Sequence, residues 1–159
     1  MLSLEELEKK IAGDLGEDRF YMGSDGKSLT PIPTGLVSLD KVLNGGVPRG
    51  KLTEFYGNPS SGKSLLSLNV IAQAQKQDGK ALYIDLEKTF DKKWAKTNGV
   101  DLDKLRVLEP ADGEETYELL EDYLRTNEMD IIVLDSVAQV VPRAELEGGV
   151  ADANIGLAA

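Results

Sequence analysis

The stretch Gly57-Asn58-Pro59-Ser60-Ser61-Gly62-Lys63-Ser64 fits the pattern G-x-x-x-x-G-K-[ST], and its flanks leave it few conformations. Lys51-Leu52-Thr53-Glu54-Phe55-Tyr56 reads as a strand and Leu65 to Gln77 as a helix, so the order is strand, glycine loop, helix. A loop so placed can aim successive backbone N–H groups at phosphate oxygens. The first turn of the helix adds unpaired donors and the positive end of its dipole. In that setting Lys63 bridges the β- and γ-phosphates of a nucleotide, and the Ser64 hydroxyl is a ligand for Mg²⁺. Gly57, Asn58, Pro59, Ser60, Ser61, Gly62, Lys63, Ser64 and Leu65 form the candidate nucleotide-binding set. The competing reading is a glycine turn without a ligand.

A chain of 159 residues, 41% of them hydrophobic, has the size of one domain and enough apolar mass to fold without covalent staples. It contains neither cysteine nor histidine. That excludes disulfides, thiolate and imidazole metal sites, and Ser-His or Cys-His catalysis, so any metal must be held by oxygen. Met1-Leu2-Ser3-Leu4-Glu5-Glu6 lacks a signal-like start and no apolar run has the length of a membrane span, so a cytoplasmic location is expected. The net charge of −10 argues against a broad nucleic-acid-binding surface. Lys88, Lys92, Lys93 and Lys96 are the densest basic group and read most simply as a solvated helix face.

Ser3 followed by Glu6 has the form of a capping box, and Leu4, Leu7 and Ile11 share one helical face up to Gly13. Residues 1–13 are therefore expected as an amphipathic helix, 14–34 as a linker or arm, and 35–159 as the body. In the body, Gly35 to Leu43 suggests a short helix and Pro48-Arg49-Gly50 a turn. Ala81 to Leu86, Arg106 to Leu108 and Ile131 to Leu134 read as strands, alternating with helices over Phe90 to Asn98 and Glu114 to Thr126. Strands without a polar face, alternating with helices, predict an α/β fold with a mostly parallel sheet covered on both sides.

Ligands of such sheets bind at the carboxyl ends of the strands. Ile131-Ile132-Val133-Leu134-Asp135 ends in an acid, so Asp135 is the candidate to hold Mg²⁺ beside Ser64. Tyr83-Ile84-Asp85-Leu86-Glu87 ends in two, and strand alternation puts Asp85 and Glu87 on one side with Glu87 farther out, where a carboxylate can activate water. From spacing alone, an exposed acid where a strand becomes a loop is an equal reading of Glu87.

These stretches together resemble the RecA recombinases over Pro33 to Ala159. The matching residues are Pro33-Thr34-Gly35 with Ser38-Leu39-Asp40, Gly45 to Gly50, the glycine loop, Ile84 to Glu87, Gly99-Val100-Asp101 and Asp135-Ser136-Val137-Ala138. Pro142 to Gly148 and Gly156 to Ala159 look like the approach to and exit from the family's first DNA-binding loop. By resemblance Glu147, Gly148, Gly149, Asn154 and Gly156 are the candidate DNA contacts. The resemblance implies a P-loop NTPase of RecA-like type, with Lys63 on the phosphates and Glu87 as the catalytic glutamate. It also implies that Asp91 and Trp94 hold the adenine; a stacked indole adds about 1–3 kcal/mol per base. The competing place for Trp94, the one tryptophan of the chain, is in the core.

Two departures accompany the resemblance. Asn58-Pro59 and Ser64 stand where close relatives have Pro-Glu and Thr, and both forms satisfy the chemistry. In the family, the residues beyond a point like Ala159 supply a strand between the glycine-loop strand and the Asp135 strand, the γ-phosphate sensor and the second DNA loop. The chain is thus expected to be the ATP-binding part of a recombinase, incomplete at its C-terminus, with a shortened, phage-like N-terminus. By itself it is expected neither to hydrolyse ATP usefully nor to bind DNA tightly. The complete protein would use ATP and Mg²⁺ and form homo-oligomeric filaments on single-stranded DNA through the N-terminal helix. Two other readings stay open: a non-catalytic nucleotide-binding or assembly module, and a RecA-like ATPase of another pathway.

Overall fold

The computed structural model describes residues 2–15 and 30–141. Two compact units divide the chain, at Thr30 and Pro31. The first contains helix α1, Leu4–Leu15. Its capping box forms as expected, with Ser3 N–H donating to Glu6 Oε2 at 2.8 Å and Glu6 N–H to Ser3 Oγ at 3.2 Å. The helix continues through Gly13. One internal glycine costs only about 0.5–1 kcal/mol, and the apolar repeat that includes Leu7 and Ile11 extends to Leu15. No residue of α1 is buried.

The second unit begins before Gly35, which corrects the expected linker boundary. Strand β1 (Pro31–Ile32) pairs antiparallel with β2 (Val47–Pro48), where a plain turn was expected. Ile32 and Thr34 are buried. Gly46 makes this pairing possible: a Cβ there would lie 2.0 Å from the Ile32 carbonyl oxygen. Between the strands sits α2 (Val37–Val42), to which the chain is tied by Thr34, whose N–H and hydroxyl both donate to Asp40 Oδ1 at 2.7 Å.

The main sheet has three parallel strands, β3 (Ala81–Asp85), β4 (Leu105–Leu108) and β5 (Ile131–Asp135), in the order β4-β3-β5. Every residue of the central strand β3 is buried, as its unbroken apolar run requires. Helix α3 (Lys63–Lys76) lays Leu68, Ile71 and Ala72 on the face formed by Ala81, Tyr83, Ile131 and Val133. Ala95 of α4 (Lys92–Thr97) and Val100 close the same cluster. Burying each large aliphatic side chain of this kind contributes about 1.5–3 kcal/mol. The opposite side of α3, Val70 and Ala74, packs with Ile32, Val47 and Phe55. Helix α5 (Gly113–Thr126) starts at Asp112, whose side chain accepts from Glu115 N–H, and Gly113 N–H bonds Val141 O after β5.

Lys51–Tyr56 is not a strand. The segment joins no sheet, Leu52 is fully exposed, and Tyr56 is nearly so. Its place directly before the glycine loop made it read as a strand, but a strand exists only when a neighbour takes up its N–H and C=O groups. Among the described residues β5 is an edge, and nothing pairs between it and Lys51–Tyr56.

Candidate functional site

The glycine loop turns into α3 at Gly62, which has φ of 93° and acts as the N-cap. A left-handed residue there favours glycine because any Cβ strains that backbone. The whole loop from Gly57 to Gly62 is exposed, as are Ser64 and Leu65, whereas Lys63 is half-buried. Lys63 Nζ donates to the carbonyls of Gly57 and Asn58 at 3.3 and 3.2 Å. A cleft of about 270 Å³ adjoins the loop, lined by Glu54, Phe55, Tyr56, Ser61, Gly62, Lys63 and Leu66. A larger one, about 410 Å³, lies at the amino ends of β3 and β4, the wrong end of a parallel sheet for the proposed chemistry.

At the carboxyl ends, the register places Asp85 opposite Asp135 on neighbouring parallel strands. Asp85 is 1% exposed; its Oδ2 accepts from Phe90 N–H at 2.7 Å and its Oδ1 is buried without a partner. Leu86 N–H donates to the Asp135 carbonyl at 2.8 Å. The turn that carries Glu87 is thereby anchored to both strand ends. Strand geometry stops at Asp85, and the chain bends through Leu86, Glu87 and Lys88, with Lys88 at φ of 54°. Glu87 is therefore an exposed turn residue rather than the outermost residue of a strand, which corrects the alternation argument for its position.

Tyr83 was not singled out from sequence. Its hydroxyl donates to Asp135 Oδ2 at 2.5 Å and its ring meets Phe90 at a centroid distance of 5.2 Å. Burial foremost, then the bond to Asp135 and the negative fields of Asp135, Asp85 and Glu87, push the hydroxyl pKa far above its ordinary value, so Tyr83 remains a donor. The candidate carboxylates Asp135 and Glu87 thus lie, with Asp85, in the electrostatic surroundings of one phenol, and only Asp135 bonds it. No hydrogen bond or ion pair among the described residues links Lys63 or Ser64 to Asp135 or Glu87.

After the turn, Asp91 caps α4, its Oδ1 accepting from Lys93 N–H at 2.7 Å and Trp94 N–H at 3.0 Å. Trp94 is 49% exposed, so it does not fill the core. Lys88, Lys92, Lys93 and Lys96 are all exposed, as expected for a solvated face. Glu147, Gly148, Gly149, Asn154 and Gly156 lie outside the described residues.

An α/β unit with a parallel sheet, a glycine loop opening a helix and carboxylates at adjacent strand ends defines a broad class of ligand-binding domain. Comparison with known proteins narrows it. The profile of the RecA N-terminal domain matches residues 3–159. The chain is 42% identical over 98% of its length to Protein RecA of Petrotoga mobilis, 45% over 99% to that of Nautilia profundicola, and 46% over 97% to that of Roseiflexus castenholzii. The chain belongs to the RecA family. It spans 44%, 46% and 47% of the length of those three relatives.

Proposed function

We propose that this chain is the ATP-binding part of a RecA-type recombinase with a P-loop NTPase fold. In the complete protein it would hydrolyse ATP and form filaments on single-stranded DNA for recombination and repair. One observation carries the reading: the glycine loop delivers Lys63 and Ser64 into the first turn of α3, and α3 packs on β3 and β5, the strands that end in Asp85 and Asp135.

The donor set suits Mg²⁺. Ser64 hydroxyl and Asp135 are hard oxygen donors, and among the described residues no three carboxylates form a protein-only cage. Magnesium is held in this way, by one or two protein oxygens with substrate phosphates and water. When bound, the ion neutralises charge on the β- and γ-phosphates. Loop N–H groups and Lys63 orient the phosphates, Glu87 orients water, and Trp94 offers its open face to the base. Among the described residues no helix is long and apolar enough to cross a membrane, and we place the protein in the cytoplasm.

The test is turnover. Glu87→Gln in the complete protein should bind ATP normally and lose about 10²–10⁴-fold in DNA-stimulated hydrolysis. A fully active variant contradicts the assignment. A second reading, nucleotide-dependent assembly without turnover, draws support from the unpaired Lys51–Tyr56 segment, which leaves the loop free of the sheet. It predicts no difference in turnover between the wild type and Glu87→Gln, with both at background.

A further inference from the structure

Tyr83 and Asp135 stand on neighbouring strands, two residues out of direct register, since Tyr83 pairs with Val133 and Asp85 with Asp135. In a parallel pair these four residues face the same side, so the long tyrosine ring can reach diagonally to the acid at the next strand's end. The ring has little freedom. It is 4% exposed, sits in the cluster with Leu68, Ile71 and Ala72, and is flanked by Phe90. A hydroxyl on so buried a ring must find an acceptor, and it finds Asp135 Oδ2. The other oxygen, Oδ1, accepts no hydrogen bond among the described residues.

We propose that Tyr83 is a positioning residue for the metal-binding carboxylate: its hydroxyl holds Asp135 Oδ2 and so presents Oδ1 toward the divalent cation. The inference rests on the reading of Asp135 given above. A carboxylate bonded through one oxygen to a fixed donor loses its rotation about the Cβ–Cγ bond before the cation arrives. Outer partners of this kind orient metal ligands elsewhere in proteins, and losing one typically costs 10–100-fold in metal affinity. The same ring contacts Phe90, whose N–H is held by Asp85. One side chain therefore touches both the cation's carboxylate and the base of the turn that bears Glu87.

Tyr83→Phe deletes only the hydroxyl. With the 159-residue chain, Mn²⁺ and ATP as probes, the free-Mn²⁺ signal in electron paramagnetic resonance, read against the same Mn²⁺ and ATP without protein, gives the metal affinity the protein adds. The expected result is about tenfold weaker Mn²⁺ binding in Tyr83→Phe, with ATP affinity in excess chelator unchanged. In an Asp135→Ala background, the further Tyr83→Phe change should have no effect, because the hydroxyl acts through that carboxylate. Wild-type Mn²⁺ affinity in Tyr83→Phe, beside a clear loss in Asp135→Ala, overturns the proposal and leaves the functional reading standing. An equal loss in both backgrounds, or a loss of ATP affinity in chelator, assigns the hydroxyl a merely structural part and also overturns it. Wild-type Mn²⁺ affinity in Asp135→Ala removes Asp135 from the metal site, and the proposal falls with the reading beneath it.

Discussion

The Asp85 carboxylate accepts the Phe90 N–H at 2.7 Å, closing the turn that carries Glu87 while its second oxygen stays buried and unpartnered. A fully buried acid that spends one oxygen on a backbone amide is holding a loop in place.

Asp85→Ala should therefore leave the Phe90 N–H unsatisfied and lower stability by about 1–3 kcal/mol. Urea unfolding followed by circular dichroism measures it. An unchanged midpoint would show that the turn holds itself.

The half-exposed face of Trp94 suits a base better than a core. As the single tryptophan, it reports directly. Its fluorescence should change on adding ATP and much less on adding tripolyphosphate. Trp94→Ala should weaken ATP binding by about 1–3 kcal/mol, with stability altered by less than about 0.5 kcal/mol, as for a surface substitution. Equal fluorescence responses to the two ligands contradict stacking.

Acid stability should report on the clamp between Thr34 and Asp40. The Thr34 hydroxyl, and after it the Thr34 amide, hold the Asp40 carboxyl below its ordinary value. A carboxyl depressed on folding stabilises the native state above its unfolded pKa, and that stabilisation is lost as pH falls through the lower folded value. Asp40→Asn should thus be less stable than wild type at neutral pH, and the two should converge in acid. Urea midpoints across a pH series measure this, and a constant gap between the two proteins contradicts it.

Much of the fold was legible because β3 is an unbroken apolar run, buried throughout, with the apolar run of β5 beside it, and because Ser3 with Glu6 marks the start of α1. Lys51–Tyr56 misled because its place before the glycine loop suggests a strand but supplies no partner to pair with. Strands β1 and β2, at two residues each, are too short to carry a pattern. Glu87 was picked out by resemblance, and its placement by strand alternation failed at the bend through Lys88. The bond between Tyr83 and Asp135 joins residues 52 apart and depends on register between parallel strands, which local pattern does not encode. Once β3 and β5 are known to be neighbours, a tyrosine two residues before a strand-end acid is the signal that finds it.

The central claim is that the glycine loop is a nucleotide site served by Lys63, whose Nζ stands over the loop carbonyls of Gly57 and Asn58. Titration of a fluorescent ATP analogue with Mg²⁺ into the wild type and Lys63→Ala tests it most directly. The account predicts saturable binding by the wild type and loss of that binding in Lys63→Ala with an unchanged circular dichroism spectrum, because the mobile cation is removed from a preformed anion cradle. Equal affinity in two equally folded proteins would contradict it.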